Sequence, residues 1–247
     1  MPDQKPDELK SIKADEFIDD LFGLNIRGLR TITAVILHPR RYFDAALEPH
    51  WGDRYTPSIR LWFSLMAVWA VLQFIWLGDE SPFVNVYAEG LREAGVVPVE
   101  GETFLDMGKG VASWFFGLIP VVQVLAVLAL STIYGFWGRR TSLALRQRLV
   151  FAVTIPGSCF MVLSMLPMSR IPADQISTAG LILAGVLALI DFITGYRGAF
   201  AHLSGFGRLW RAGLLAVTLW AVNVGVNIAV QIAAFILAFG SGTVVAG

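Results

Sequence analysis

The sequence predicts an all-α membrane protein: a polytopic helical bundle of about five transmembrane helices with an N-terminal amphipathic interfacial helix. Three observations support this fold class. First, 55% of the 247 residues are hydrophobic and only 15% are charged, whereas soluble domains contain about 25% charged residues. Second, the apolar residues are concentrated in uncharged runs that are long enough to cross a bilayer. Third, basic residues cluster in alternate connections between these runs.

Charge and cysteine content exclude several classes of function. The 19 basic and 19 acidic residues balance, so the chain lacks the positive charge typical of nucleic-acid-binding proteins, and we expect no nucleic-acid partner. The single cysteine, Cys159, excludes an intramolecular disulfide and a cysteine-based zinc cluster. The three histidines share no metal-ligand spacing on one helix. No glycine-rich phosphate loop or nucleophile motif is present. We therefore expect no catalytic residues, no metal and no cofactor.

The first 56 residues are predicted to form a tail followed by surface helices. Residues 1–13 are charged and poor in apolar groups, which is typical of a disordered cytoplasmic tail. Residues 14–56 have helical amphipathic periodicity, interrupted at Pro39. This pattern suits helices in the headgroup layer, but helices packed beneath the bundle would have the same periodicity. Four arginines are candidates for contact with anionic headgroups: Arg27, Arg30, Arg40 and Arg41.

Residues 57–240 form the predicted transmembrane domain, and residues 241–247 form a short tail. The five predicted spans are about 58–77, 111–134, 149–166, 176–196 and 212–239. Tryptophans mark the ends of the first span, and Pro156 followed by Gly157 predicts a kink in the third. The acidic segment between the first two spans contains a short amphipathic pattern around Phe83 and Tyr87. This segment either lies on the outer membrane surface or folds back over the bundle.

The distribution of basic residues predicts the orientation of the chain. If successive connections alternate sides, all 19 basic residues except Arg92, Lys109 and Arg170 fall on the side of the N-terminus. The positive-inside rule makes that side cytoplasmic. The sequence therefore predicts a multi-pass protein of the cell inner (cytoplasmic) membrane, with the N-terminus in the cytoplasm and the C-terminus outside.

The last predicted span carries two stripes of residues spaced by four. Small residues that allow close approach of another helix form the first stripe: Ala221, Gly225, Ala229 and Ala233. Amides form the second stripe: Asn223, Asn227 and Gln231. An offset of two residues places the stripes about 200° apart. We therefore expect a helix-packing face opposite a polar face, with valine and isoleucine on the flanks. The polar face serves either interhelical hydrogen bonds or a hydrophilic cavity.

Asp191 is the acidic residue of the fourth predicted span, about one and a half turns before Tyr196 and Arg197. Because a carboxylate in hydrocarbon is costly, it should face protein, water or a ligand. Three roles remain open: an ion pair with Arg197, Arg208 or Arg211, binding of a proton or cation, and contact with a partner. The candidate binding residues are Asp191, Asn223, Asn227, Gln231, Tyr196 and Arg197.

Three segments carry a resemblance to a known family. They are ILHPRRYFDAAL at 36–47, YTPSIRLWFSLMAV at 55–68 and YRGAFAHLSGFGRLWRAGLLAV at 196–217. Their order resembles the bacterial Yip1-like membrane proteins, including the related DUF3667 group. The sequence lacks the cysteine zinc ribbon with which DUF3667 proteins often begin. The resemblance implies an integral membrane protein that acts through protein or lipid contacts, and it assigns no catalytic residue.

Two functional hypotheses follow. In the first, a non-enzymatic membrane protein contacts membrane lipid and a membrane-protein partner or a second copy of itself. In the second, a small transporter or lipid-translocating protein uses Asp191 and the polar face of the last helix. The second hypothesis requires a water-accessible path to that face, and the sequence contains no internal repeat of the kind that many transporters have.

Overall fold

The computed structural model describes residues 26–48, 50–78, 81–98, 101–133, 137 and 141–240. The predicted tails at 1–13 and 241–247 lie outside the described residues, as does the beginning of the predicted amphipathic region at 14–25. Within the described ranges, all regular secondary structure is helical.

The α-helices, numbered here in chain order, differ widely in length. Two short helices come first, α1 (Ile26–Leu37) and α2 (Pro39–Ala46), and α3 (Ser58–Leu72) continues into a 3₁₀ turn at Gln73–Trp76. A short α4 (Pro82–Glu93) precedes the long helices α5 (Phe104–Leu130) and α6 (Leu143–Met168). Next, α7 (Ile176–Thr194) runs directly into a π-helix at Gly195–Ala199, and α8 (Gly205–Gly240) follows it.

Prolines and side-chain caps define where several helices begin. Pro39 is the first residue of α2 and Pro82 is the first residue of α4, positions at which the missing N–H costs no helical hydrogen bond. The hydroxyl of Thr103 accepts a hydrogen bond from the Asp106 N–H, and the Asp106 carboxylate accepts one from the Thr103 N–H. This capping box starts α5. Ser142 caps α6 by accepting from the Leu145 N–H.

Four helices in the described ranges are long and apolar enough to cross a membrane, which indicates a membrane protein: Phe104–Leu130, Leu143–Met168, Ala173–Ala199 and Gly205–Phe239. They correspond to the second to fifth predicted spans. The first predicted span is not among them. Its helix, α3, has 15 residues, and a straight helix of that length covers only about 22 Å of a hydrocarbon layer about 30 Å thick. A count of five spans therefore stays a prediction.

Buried side chains form two clusters along the bundle. The first joins α2, α3, α6, the π-helix and α8 around residues such as Tyr42, Trp62, Phe151 and Leu215. The second joins α4 and α5 to the ends of α6 and α8 around residues such as Trp76, Val84 and Phe116. Because α3 buries Trp62 in the first cluster and Trp69 in the second, this short helix connects the two halves of the core.

Two arginines near the start of α6 bind the ends of other helices. The buried Arg146 donates from Nε to the Ser131 carbonyl oxygen at the end of α5, over 2.9 Å. Arg148 donates from Nη1 to the carbonyl oxygen of Ala46, the last residue of α2, over 2.7 Å. Helix C-termini carry partial negative charge, so cations are favourable at both positions. These two arginines of the basic connection therefore also hold the bundle together.

The acidic segment after α3 folds back onto the bundle. Val84, Tyr87 and Leu91 of α4 are buried, and α4 packs along the first half of α5. The two backbones are unusually close at Gly108, where an added Cβ would lie 2.7 Å from the Val84 carbonyl oxygen and 2.9 Å from the Ala88 nitrogen. This contact decides between the two placements that the sequence allows for the segment.

We predict that Gly108→Ala separates α4 from α5 and lowers the free energy of unfolding by about 1–3 kcal/mol, because the new methyl group meets backbone atoms that cannot rotate away. Gly110→Ala, two residues further along α5, is the matched control, since its Cβ would meet nothing within 4 Å. We expect it to stabilise by about 0.4–1 kcal/mol. Thermal unfolding of both variants in a mild detergent measures the difference. Equal melting temperatures would show that the close approach is not needed.

Candidate functional site

A cavity of about 520 Å³ lies among α3, α4, α5, α6, α7 and α8. Its volume is within the range of about 300–1,000 Å³ that small-molecule sites occupy. Aromatic rings supply much of its wall: Trp62, Trp69, Trp76, Phe83, Tyr87, Phe115, Phe116 and Trp220. An aromatic cavity inside a bundle of apolar helices suits a ligand with a hydrocarbon body.

Polar side chains from four helices also line the cavity. The structure brings together four of the predicted site residues there: Asp191 on α7 and Asn223, Asn227 and Gln231 on α8. Other helices add further polar groups: Gln123 from α5 and Thr154, Ser158 and Ser164 from α6. Residues that are distant in sequence therefore surround one space, as expected of a ligand site.

The rotation of α8 about its axis places the amides at the cavity. Asn223 and Asn227 line it, while Val226 and Val230 on the neighbouring face are 7% and 1% exposed and pack in the bundle. The expectation that these two valines flank the helix toward lipid is wrong. Because amides are costly in hydrocarbon, the helix turns Asn223 and Asn227 inward and the neighbouring valines follow, whereas Gln231 is exposed.

The small-residue stripe faces away from the bundle. Ala221, Gly225 and Ala229 are exposed and Ala233 is half-buried, and a Cβ on Gly225 would meet nothing within 4 Å. The expected close packing on this face is therefore not seen between α8 and other described helices of the same chain. The stripe lies almost opposite the amides, so an inward polar face directs it outward.

The amides of α8 bond to each other along their own helix. Asn227 donates from Nδ2 to the Asn223 carbonyl oxygen over 2.8 Å, and the same group lies 3.2 Å from Asn223 Oδ1. An interhelical hydrogen bond was one of the two roles considered for this stripe. The bonds of Asn227 lie instead within α8, at the surface of the cavity.

Asp191 faces α6 at Gly157. A Cβ on Gly157 would lie 3.2 Å from Asp191 Oδ1, so the missing side chain at Gly157 leaves room for the carboxylate. Pro156 immediately before it removes one helical hydrogen bond. Oδ1 is buried and forms no hydrogen bond with any residue that the structure describes. The carboxylate is thus held against helix backbone without a polar partner for that oxygen.

Tyr196 and Arg197 are not among the residues that line the cavity. Tyr196 lies in the π-helix, where Arg208 donates from Nε to its carbonyl oxygen and places its guanidinium 4.0 Å from the centre of the ring. Arg197 is exposed. Arg208, one of the expected partners of Asp191, therefore binds Tyr196. Sequence proximity suggested a site that includes Tyr196 and Arg197, but the helix directs these side chains elsewhere.

The charge of the cavity wall is unbalanced. Among the described lining residues, Asp191 is the sole Asp or Glu, and none is Lys, Arg or His. Tyr87 is also titratable, but burial raises the pKa of its phenol, so it is neutral at physiological pH. Asp191 is therefore the group that can give the cavity a net charge.

The four predicted headgroup arginines lie together on the first two helices. Arg27, Arg30, Arg40 and Arg41 are all exposed, and Arg40 Nε is 3.8 Å from Asp44 Oδ2. Leu29, Ile36 and Leu37 are exposed beside them. The opposite side of α2 packs on the bundle, where Phe43 lies so close to Gly198 of the π-helix that any side chain at Gly198 would collide with it. One face of these helices thus packs on the bundle. The other face carries both the arginines and the apolar side chains, and it is exposed.

Several cavity residues were not selected from the sequence as site residues. They include Gln123 of the second predicted span and the two tryptophans at the ends of the first predicted span, Trp62 and Trp76. Thr154 and Ser158 lie four residues apart on α6, a spacing that places both on one helix face. That spacing is the signal from which these two residues could have been found.

We predict that Asn227→Cys, in a Cys159→Ser background, reacts with a small charged thiol reagent in native membranes. The cavity is expected to admit water at the amides, and thiol reactions require the thiolate. Ala229→Cys is the matched control, since it lies two residues away on the outward face of α8 and should be shielded by lipid. Mass spectrometry of the labelled protein measures both. Labelling at Ala229→Cys but not at Asn227→Cys would contradict the placement of the cavity.

Comparison with known proteins adds no family to these observations. No protein-family model matches the chain, and neither a curated protein nor a solved structure matches it. The resemblance to Yip1-like proteins therefore stays a prediction from three sequence segments.

Proposed function

We propose that this membrane protein binds an amphipathic, lipid-like molecule in the cavity among α3 to α8. The observation that carries the proposal is that Asp191, Asn223 and Asn227 meet in one aromatic cavity among the apolar helices. Ionisable and amide groups in membrane helices are costly unless they face protein, water or ligand. A cavity that combines them with aromatic walls fits a molecule that has one polar end and one apolar end.

The proposed function is a binding function without catalysis. The hydrocarbon part of the ligand contacts the tryptophans and phenylalanines, and its polar head contacts the amides of α8. A lipid-translocating protein or small transporter needs a cavity of this kind as well, so the site supports that hypothesis to the same extent. Lipid contact is also one of the two modes of action, protein or lipid contact, that the resemblance to Yip1-like proteins implies.

The proposed membrane placement follows the distribution of charge. We propose five spans, with α3 and its 3₁₀ continuation forming the first, in the cell inner membrane with the N-terminus cytoplasmic and the C-terminus outside. In this placement α1 and α2 lie in the cytoplasmic headgroup layer. Their exposed arginines contact anionic headgroups and their exposed leucines enter the acyl region.

A second candidate function is contact with another membrane protein or a second copy of this chain. The observation that favours it is the outward position of Ala221, Gly225 and Ala229 on α8. Small residues spaced by four let two helix backbones approach closely within a bilayer. This contact would use the face of α8 opposite the cavity, so both functions can coexist.

We predict that Gly180→Leu weakens the binding of a neutral amphipath, such as a fluorescent monoacylglycerol, by roughly tenfold, which corresponds to about 1.4 kcal/mol. Gly180 lines the cavity, and a Cβ there would meet nothing within 4 Å, so the leucine fills ligand space without a clash. Fluorescence anisotropy with the full-length protein in nanodiscs measures the affinity.

The matched control for this experiment is Gly185→Leu on the same helix. Gly185 is exposed, is not among the cavity-lining residues, and its Cβ would also meet nothing within 4 Å. We expect it to bind the monoacylglycerol as the unmodified protein does. If the unmodified protein does not bind this probe, or if both variants bind it equally, the cavity is not a lipid-binding site.

We predict that the double substitution Arg40→Glu and Arg41→Glu lifts the surface helices from anionic membranes. Each arginine near an anionic surface contributes about 1 kcal/mol, and reversal turns this attraction into repulsion. An environment-sensitive dye on Leu37→Cys, in a Cys159→Ser background, should shift its emission to longer wavelength in anionic nanodiscs. In nanodiscs of neutral lipid the two proteins should give the same emission. An unchanged spectrum in anionic nanodiscs would exclude the headgroup contact.

A further inference from the structure

We infer that the cavity selects amphipaths with a cationic head, held as an ammonium group against Asp191. The inference rests on the proposed lipid-binding function and specifies the chemical class of the ligand. It is carried by three features of the cavity: its unbalanced charge, the buried carboxylate oxygen without a hydrogen-bond partner, and the position of that carboxylate along the cavity.

The first step concerns charge. Asp191 is the one acidic residue among the described lining residues, and no basic side chain lines the cavity with it. A carboxylate in such surroundings is stabilised by an opposite charge or by a hydrogen-bond donor, and its free energy is high without either. An ammonium group supplies both, because it carries a positive charge and N–H donors.

The second step concerns the carboxylate oxygen that lacks a hydrogen-bond donor. Asp191 Oδ1 is buried and unbonded within the part of the chain that the structure describes, although its residue lines the cavity. Buried polar atoms are normally satisfied by protein, water or ligand.

The third step concerns the length of the site. Asp191 lies near one end of α7, and the lining continues along the helix as far as Ile176. These two residues are separated by about 22 Å along the helix axis at the usual rise per residue. A head bound at Asp191 thus leaves an elongated, mainly apolar path for a single hydrocarbon chain.

The charge of the wall also selects against other ligands. A phosphate or carboxylate head would find no basic lining residue among those described and would be repelled by Asp191. A bare divalent metal ion needs several protein oxygens or nitrogens, and no group of three or more His, Cys, Asp or Glu side chains able to hold one occurs in the described ranges. A long-chain amine without an anionic group fits best.

The test compares three ligands of equal chain length with the full-length protein in nanodiscs. Dodecylammonium, dodecanol and dodecanoate each compete with the fluorescent monoacylglycerol. We expect dodecylammonium to displace the probe at a concentration at least about tenfold lower than dodecanol, as a close pair of opposite charges contributes this much or more. Dodecanoate should be the weakest competitor.

Asp191→Asn should abolish the preference for the amine over dodecanol, because the amide keeps the shape of the side chain but removes its charge. Asp174→Asn is the matched control, since it removes an exposed carboxylate that does not line the cavity, and it should keep the full preference. Comparing variants in the same nanodiscs removes the effect of ligand partition into lipid. If Asp191→Asn does not fold, Gly157→Ala provides a second variant, because its methyl group would lie 3.2 Å from Asp191 Oδ1, which shifts the carboxylate and should reduce amine binding selectively.

The possible outcomes separate the two proposals. If the probe binds but dodecylammonium has no advantage over dodecanol, the cationic preference is wrong and lipid binding stands. Retention of the preference in both Asp191→Asn and Gly157→Ala would likewise overturn the assignment to Asp191. If the probe does not bind the unmodified protein, the proposed lipid-binding function fails and this inference fails with it.

Discussion

The cost of placing an amide in hydrocarbon sets the orientation of the last helix, and much of the bundle depends on that orientation. With Asn223 and Asn227 turned inward, Val226 and Val230 enter the core and α8 packs along α5 and α7. The same rotation turns the alanine and glycine stripe outward. Exposing a polar group to hydrocarbon costs about a few tenths to several kcal/mol. Rotations of α8 that differ only in their apolar contacts have nearly equal energies, so this cost decides among them.

Positive charge has two roles in this chain. Arg40 and Arg41 are exposed and available to headgroups, whereas Arg146 is buried and binds the end of α5. Arg148 binds the end of α2 and stacks on Trp51, 4.2 Å from the ring centre. A count of basic residues on each side of a membrane treats all four as equivalent. The structure distinguishes those that hold helices together from those that can contact lipid.

The periodicity of the sequence predicted the helical class, the four long apolar helices and the polar face of α8, because these depend on local spacing. It also identified four residues that line the cavity. It did not predict that the small-residue stripe would face away from the bundle, since an angular offset within one helix says nothing about its neighbours. The position of Gly157 against Asp191 and the bond from Arg208 to Tyr196 were missed for the same reason: both join residues through tertiary packing.

The contact of Phe43 with Gly198 has a consequence for how the protein is made. Helix α2 is synthesised early, but its docking surface on the π-helix at Gly195–Ala199 does not exist until α3 to α7 have been synthesised. During translation, the Phe43 side of α2 therefore stays undocked while the later helices are synthesised and enter the bilayer. Before it docks, α2 can bind the membrane surface as other amphipathic helices do. Docking onto the bundle is then one of the last steps of assembly.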